Sequence, residues 1–383
     1  MRRFLLYLFA AAMDMLLGSF FFIASVRVAE TGASAIAVGM VFTVWGLSYM
    51  VSAFLVGRAV TPSNSRPMQI GGCFGIAACA TAFILAPGLG ALYVIMTVLG
   101  IAVAFFFPPY MVFMKSVEGG DSGNLATSTA LYTMAWSLGL GAGPFVAGAL
   151  WSARGWQWVC ALDALLALAA LAGLLAFFRA VDRGKPAAAA PVDTAGAEAR
   201  MPDLVWLAWV CTGASLIALA MVRGVFPATA HGLAVPKADQ GIALALICVG
   251  QAAASLFLAF AGRTWYYRAG PVAGFGLVGV AGLALFGLAH SSAGFYAAAF
   301  CLGVYGGAAF IYMLFHALMH PSRAGRNVGV NEAVVGLTGI VGPVLAGVLS
   351  DHAGASVPYY AAAVFVAVAL VFQVSVHLRM AKS

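Results

Sequence analysis

The amino-acid sequence predicts an all-α membrane protein of twelve transmembrane helices, arranged as two pseudo-symmetric six-helix bundles. Three observations carry this. Of the 383 residues, 63% are apolar and 8% are charged, whereas a soluble domain carries about 25% charged residues. Apolar runs of about twenty residues, the length that crosses a bilayer core as a helix, recur along the whole chain. A Gly-Pro-x-x-x-Gly sequence occurs twice, at Gly143-Pro144 to Gly148 and at Gly342-Pro343 to Gly347. Lipid offers no hydrogen bonds to the backbone, so only helices and closed barrels span it. Barrel strands alternate and run to about ten residues; these runs do neither.

Taken in order, the first span is 4–25. Arg2-Arg3 and Ala10-Ala11-Ala12 imitate a signal peptide and its cleavage site, but the apolar stretch continues to Ser25, so it reads as a span. Spans 34–57, 67–87, 91–114, 125–150 and 156–179 complete a first half, residues 1–180. Residues 181–203 are rich in Ala, Pro and charge and read as a flexible cytoplasmic linker. Spans 204–222, 240–261, 270–289, 293–318, 327–350 and 356–378 fill the second half, 204–383. With the N-terminus inside, fifteen of the nineteen Lys and Arg residues fall on the cytoplasmic side. Arg27, Arg154, Arg223 and Lys237 fall outside. That bias places both termini in the cytoplasm. It also accounts for the net charge of +7 without nucleic acid. The six cysteines form no Cys-x-x-Cys, so neither a disulfide framework nor a metal site is expected. Short loops and high Ala content point to a bacterial inner membrane.

The halves resemble each other beyond the Gly-Pro pair. Leu99-Gly100 with Tyr110-Met-Val-Phe113 in span four matches Leu302-Gly303 with Tyr312-Met-Leu-Phe315 in span ten. Gly57-Arg58 and Arg66 after span two match Gly262-Arg263 and Arg268 after span eight. Arg27 and Arg223 are read as lying at the outer ends of their halves' first spans. Parallel six-span repeats of this kind build one large class of transporters.

Gly139-x-x-x-Gly143-Pro144-x-x-x-Gly148 in span five resembles the fifth-span motif of the major facilitator superfamily, often called the antiporter motif. The resemblance covers essentially the whole chain. It implies a two-domain bundle with a central cavity that opens to one side and then the other. The family's loop after span two survives here only as its leading glycine, Gly57, and its final arginine, Arg66; Thr61 stands where the family has an acid of its inside gate latch. The resemblance implies that Gly139, Gly143, Pro144, Gly148, Gly342, Pro343 and Gly347 serve conformational change. A bulky residue at Gly143 is then expected to stall transport in a folded protein.

Acids within spans are candidates for function because a charge in hydrocarbon costs about 2.5–3.5 kcal/mol on insertion scales. Asp14 follows Phe4 by ten residues, roughly 15 Å of helix, which places it near the midplane. A carboxyl removed from water there can exchange a proton near neutral pH. Its alternative is a structural hydrogen bond to a neighbouring helix. Glu332 lies near the cytoplasmic start of span eleven, as a second proton-coupling candidate or as a gate or interfacial ion pair with Arg323 and Arg326. Asp163 reads as structural. Tyr305, Tyr312 and His316 share one face of span ten, which lines the cavity in the resembling family, and suit a polar or aromatic ligand. Tyr110 is the repeat partner of Tyr312. Trp45, Tyr49, Tyr132 and Trp136 offer further aromatic wall, and Gln251 reads as an interhelical hydrogen bond. Arg27 and Arg223 either draw an anion into the cavity or snorkel to headgroups. Gly274-Phe-Gly276-Leu-Val-Gly279 fits a dinucleotide pattern, but it lies inside an apolar span and reads as close helix packing.

The expected function is secondary active transport: proton-coupled export of a small organic molecule, with Asp14 exchanging the proton and Tyr110, Trp136, Tyr305 and Tyr312 about the substrate. One alternative is uptake of a small anionic metabolite with Arg27 and Arg223 in the site. Another is a non-transporting receptor or assembly factor on the same fold. No enzyme activity, cofactor, metal or nucleic acid is expected. The expected partners are the substrate, protons and the lipid bilayer, and the chain is expected to act as a monomer.

Overall fold

The computed structural model describes residues 2–61, 63–86, 88–118, 125–182, 203–261, 263–318 and 324–380. Among them run α1 (Arg2–Glu30), α2 (Ala35–Ala59), α3 (Ser65–Leu85), α4 (Leu89–Ala104), α5 (Phe107–Glu118), α6 (Leu125–Arg154) and α7 (Trp156–Asp182). The second set is α8 (Val205–Gly232), α9 (Lys237–Phe260), a 3-10 turn (Arg263–Tyr267), α10 (Ala269–Leu288), α11 (Ser292–Leu318), α12 (Ala324–Ala353) and α13 (Val357–Met380). Twelve spans are long and apolar enough to cross a membrane, the fourth combining α4 and α5. That span breaks at 105–106 because Pro108 and Pro109 lack the N–H groups that would continue the helix. Most of the expected linker, 183–202, lies outside the described residues.

Two helices run further than the sequence suggested. The first span extends past Ser25 to Glu30, burying Val26, Val28 and Ala29. The seventh extends past Val222 through Pro227 to Gly232. Polar side chains mark no boundary there because they are paired within the protein. Thr229 Oγ1 donates to the Val225 carbonyl, and the Tyr359 hydroxyl donates to Thr229. Arg223 therefore lies nine residues inside its helix end, roughly 13 Å of rise. The expectation that it sits at the outer end is corrected.

Packing repeats between the halves. In the first, α1 lies on α6, α2 on α4, and α3 on α7; in the second, α8 lies on α12, α9 on α11, and α10 on α13. Two seams join the halves, α6 against α9 and α12 against α2. The Gly-Pro sequences build both. A Cβ at Gly143 would strike Met15 of α1, and one at Gly342 would come within 2.7 Å of Ala220 of α8, so these two glycines pack inside their own halves. The prolines and the last glycines face across. Pro343 O lies 2.7 Å from a Cβ built on Gly39, and Pro144 O abuts Gly241. A Cβ at Gly148 would meet Lys237 O at 2.6 Å, and one at Gly347 would meet Ile36 Cα at 2.6 Å. Gly139 packs on Ala11 of its own half.

The seams are fastened at the face opposite the termini. Both oxygens of Asp351, at the end of α12, accept first-turn N–H groups of α2: Ala35 N at 2.8 Å and Ile36 N at 3.1 Å. Ser34 Oγ of the first half caps Ala37 N beside them. A helix start leaves four such donors unpaired and favours negative charge, so the second half completes the cap of a first-half helix. At the other seam Lys237 Nζ lies 2.6 Å from Glu30. That pair is one-third exposed and is worth less than about 1 kcal/mol.

Losing the Asp351 cap should cost about 1 kcal/mol, roughly a fivefold rise in the population open at that face. Asp351→Ala should therefore raise alkylation of Ala35→Cys by an impermeant maleimide by about that factor; an unchanged rate would deny Asp351 a fastening role. Gly143→Leu should destabilise the protein by about 1–3 kcal/mol through overpacking within the first half, in contrast to the folded but stalled protein expected from sequence. Gly148→Leu, whose side chain presses on α9, should instead keep the melting temperature and expose the Ala35→Cys probe.

Candidate functional site

Asp14 lies at the middle of α1, between Ala11, on which Gly139 packs, and Met15, on which Gly143 packs. Close approach of α6 thus covers its flanks. Asp14 is 7% exposed, and its Oδ2 has no hydrogen-bond partner among the described residues. Cys248 of α9, in the other half, packs on Gly141 of α6, level with Asp14, and feels the charge of the carboxyl. Asp163, the other buried acid, accepts from Ser19 Oγ at 2.7 Å. It ties α7 to α1, as its structural reading required.

Arg223 reaches the same thiol from α8. Its Nη2 donates to Gln251 Oε1 at 3.3 Å and contacts Cys248 Sγ at 3.6 Å. Both partners lie near the middle of α9. Gln251 is itself held by close packing of Gly306 and Gly307 of α11. Snorkelling is excluded for Arg223, since its head points to mid-membrane. Arg223 thus binds α9 at Cys248, the residue that packs on Gly141 of α6 level with Asp14.

Aromatic side chains stand on either side of this point. Phe21 lies seven residues along α1 from Asp14, hence on the same helix face. It stacks on Phe42 at 4.9 Å and meets Trp45 edge-on at 4.8 Å. Trp45 stacks on Tyr49, and its buried Nε1 has no partner among the described residues. Nearer the termini, Trp136 of α6 meets Phe310 of α11 across the halves at 5.6 Å.

Other candidates are placed elsewhere. Arg27 donates to the Phe83 and Ala86 carbonyls at 3.1 and 3.2 Å and lies 3.8 Å over the Trp156 ring. It caps the end of α3 and is not placed to receive an anion. The Tyr110 hydroxyl donates to the Leu6 carbonyl, and its ring stacks on Phe106. Tyr305, Tyr312 and His316 do share a face of α11, but that face turns into the second half's own interior. The Tyr305 ring fills the space above Gly279 of α10, and Tyr312 meets His377 Nε2 of α13 at 3.1 Å. His316 is enclosed by Tyr266, Tyr267 and Tyr312. A cavity of about 30 Å³ beside Thr212, Trp265, Tyr305 and Tyr312 has room for a water or two, not a substrate. Glu332 lies in α12, and its side chain is outside the described ones. Gly276 and Gly279 pack on Leu370 and Tyr305, the close packing expected of that pattern.

Of the sequence candidates, the structure joins Arg223 to α9 at Cys248, level with Asp14 across α6, and sets Trp136 on the seam between the halves. It adds Cys248 and Phe310, which sequence reasoning passed over, and gives Gln251 an arginine partner. Phe21 and Phe42 carried no signal beyond their apolar character.

Arg27→Gln should lose two charge-assisted hydrogen bonds, each worth about 1.5–3 kcal/mol. The expected result is a lower melting temperature with an unchanged KM for any transported anion. A raised KM at constant stability would return Arg27 to the site.

A family model described as Major Facilitator Superfamily matches the chain over residues 4–211 and again over 208–381. No curated protein matches it. Among solved structures, that of the human organic anion transporter MFSD10 (TETRAN) is similar, with a TM-score of 0.65 over 96% of each chain and 15% identity. At that identity the likeness is one of fold.

Proposed function

The chain belongs to the major facilitator superfamily, and we propose that within it this secondary transporter couples movement of a small organic molecule to protons through Asp14. The observation that carries the proposal is the carboxyl itself. It is buried at mid-helix, its Oδ2 is unpartnered among the described residues, and it stands level with Cys248 of the other half's α9, across α6. An ionised carboxylate left so in hydrocarbon is costly, so a proton or a cationic group must accompany it. A group whose charge is tied to its surroundings in this way can link proton occupancy to the packing of two moving halves.

The distribution of Lys and Arg supports both termini in the cytoplasm, and short loops with high Ala content support a bacterial inner membrane. In that orientation Asp351 and the Lys237–Glu30 pair fasten the outer side. The sequence reading expects export. Gly143, Pro144 and Gly148 pack as do Gly342, Pro343 and Gly347 of α12, so the motif supports alternating access in general and favours neither direction.

The test uses proteoliposomes with a pH-sensitive dye inside. A transported compound should change the internal pH in the wild type. Asp14→Asn should still exchange that compound down its gradient and should lose the pH change. An intact pH response in Asp14→Asn removes Asp14 from the coupling step.

A further inference from the structure

From Arg223 and its surroundings, we infer that the carried molecule is a monocarboxylate with an apolar or aromatic body, received by Arg223 and balanced by a proton on Asp14. This rests on the proton-coupled reading above and adds the substrate class.

A guanidinium has five N–H donors in a planar fork that matches a carboxylate. In Arg223 only Nη2 is bonded, to Gln251 and Cys248. Among the described residues, Nε and Nη1 have no partner, and no carboxylate forms an ion pair with Arg223. Arg27 is the contrast within the same chain, with both terminal nitrogens bonded to carbonyls and its plane on Trp156. Arg223 is half-buried and lies well inside its span, where an unpaired charge is costly. Gln251 and Cys248 aim it and leave its remaining donors for an anion.

Charge balance fixes the rest of the class. The ionisable group of the other half at the level of Asp14 is Cys248 of α9, which packs on Gly141 of α6 and which Arg223 of α8 contacts. The helices packed on α1 add Tyr132 of α6, about two turns nearer the termini, Tyr49 of α2, stacked on Trp45, and Asp163 of α7, held by Ser19. With Asp14 ionised the empty site is neutral. One carboxylate adds one negative charge, which one proton on Asp14 removes. A phosphate dianion would leave a net charge in a low-dielectric space. The Phe21, Phe42 and Trp45 cluster, with Trp136 and Phe310 on the other side, suits an apolar body. Proton and anion then travel in the same direction, which favours uptake over the export expected from sequence.

The experiment measures binding of phenylacetate, benzoate and butyrate to the purified full chain, against phenylacetamide and phenethylamine. At least one carboxylate should bind at least tenfold more tightly than its amide or amine counterpart. Arg223→Gln should weaken that binding at least tenfold, with Arg223→Lys restoring part of it. Gln251→Ala, which keeps the guanidinium but not its clamp, should weaken it severalfold, and Asp14→Asn should keep it. Preference for the amine, carboxylate binding that survives in folded Arg223→Gln, or no carboxylate binding at all overturns the inference. Carboxylate binding that requires Arg223, together with an intact pH response in Asp14→Asn, would retain the anion site and reject the coupling role of Asp14. The reverse pattern rejects the anion site alone.

Discussion

Backbone meets backbone along two seams, and the arrangement of this transporter depends on that approach. Pro144 lies against Gly241 and Pro343 against Gly39, with Gly148 and Gly347 completing the contacts. Small residues let helices pack this closely, and along the α2–α12 seam Thr43 Oγ1 donates one long hydrogen bond, 3.4 Å, to the Ile340 carbonyl. A seam made in this way rests on short-range contact, so it can open without breaking an extended polar network. The polar fastenings sit at its end, in the Asp351 cap of α2 and the Lys237–Glu30 pair. The same packing brings α1 and α9 to opposite sides of α6, so that Asp14, flanked by Ala11 and Met15 against Gly139 and Gly143, and Cys248, against Gly141, stand at one level.

The bilayer sorts the ionisable side chains into two groups. Asp163, Arg27 and Tyr110 are each committed to a fixed partner: a serine hydroxyl, two helix-end carbonyls and a main-chain carbonyl. Each ties helices within one half and need not change during transport. Asp14 and Arg223 differ. Among the described residues, one keeps an unpartnered oxygen and the other bonds through a single nitrogen, and they come from opposite halves. Groups left incomplete inside a membrane, at the place where the halves move relative to each other, are where substrate and proton can act.

Much of this was legible in the sequence because the bilayer demands it. Span number, the repeated Gly-Pro seam and the midplane acid all follow from length, composition and helical rise. The end of the seventh span did not. Arg223 looked like a boundary because its partners, Cys248 and Gln251, lie on another helix, and the periodicity of one helix says nothing about the face of its neighbour. The span-ten stripe failed for the same reason. Its spacing put Tyr305, Tyr312 and His316 on one face, but the direction of that face depends on Gly279 of α10 and His377 of α13. Arg27 was read with Arg223 as a pair, yet only one of them lies near the end of a helix whose neighbour has carbonyls to offer.

The central claim is that Asp14 and Arg223 form one charge-balanced site. Infrared difference spectroscopy of the reconstituted protein, following the carboxylic acid C=O band as phenylacetate is added near neutral pH, tests this most directly. The account predicts a protonated carboxyl signal that grows with the anion, vanishes in Asp14→Asn and no longer responds to the anion in Arg223→Gln. A carboxylate that binds with no change in the Asp14 band, or a response that persists without Arg223, would contradict it.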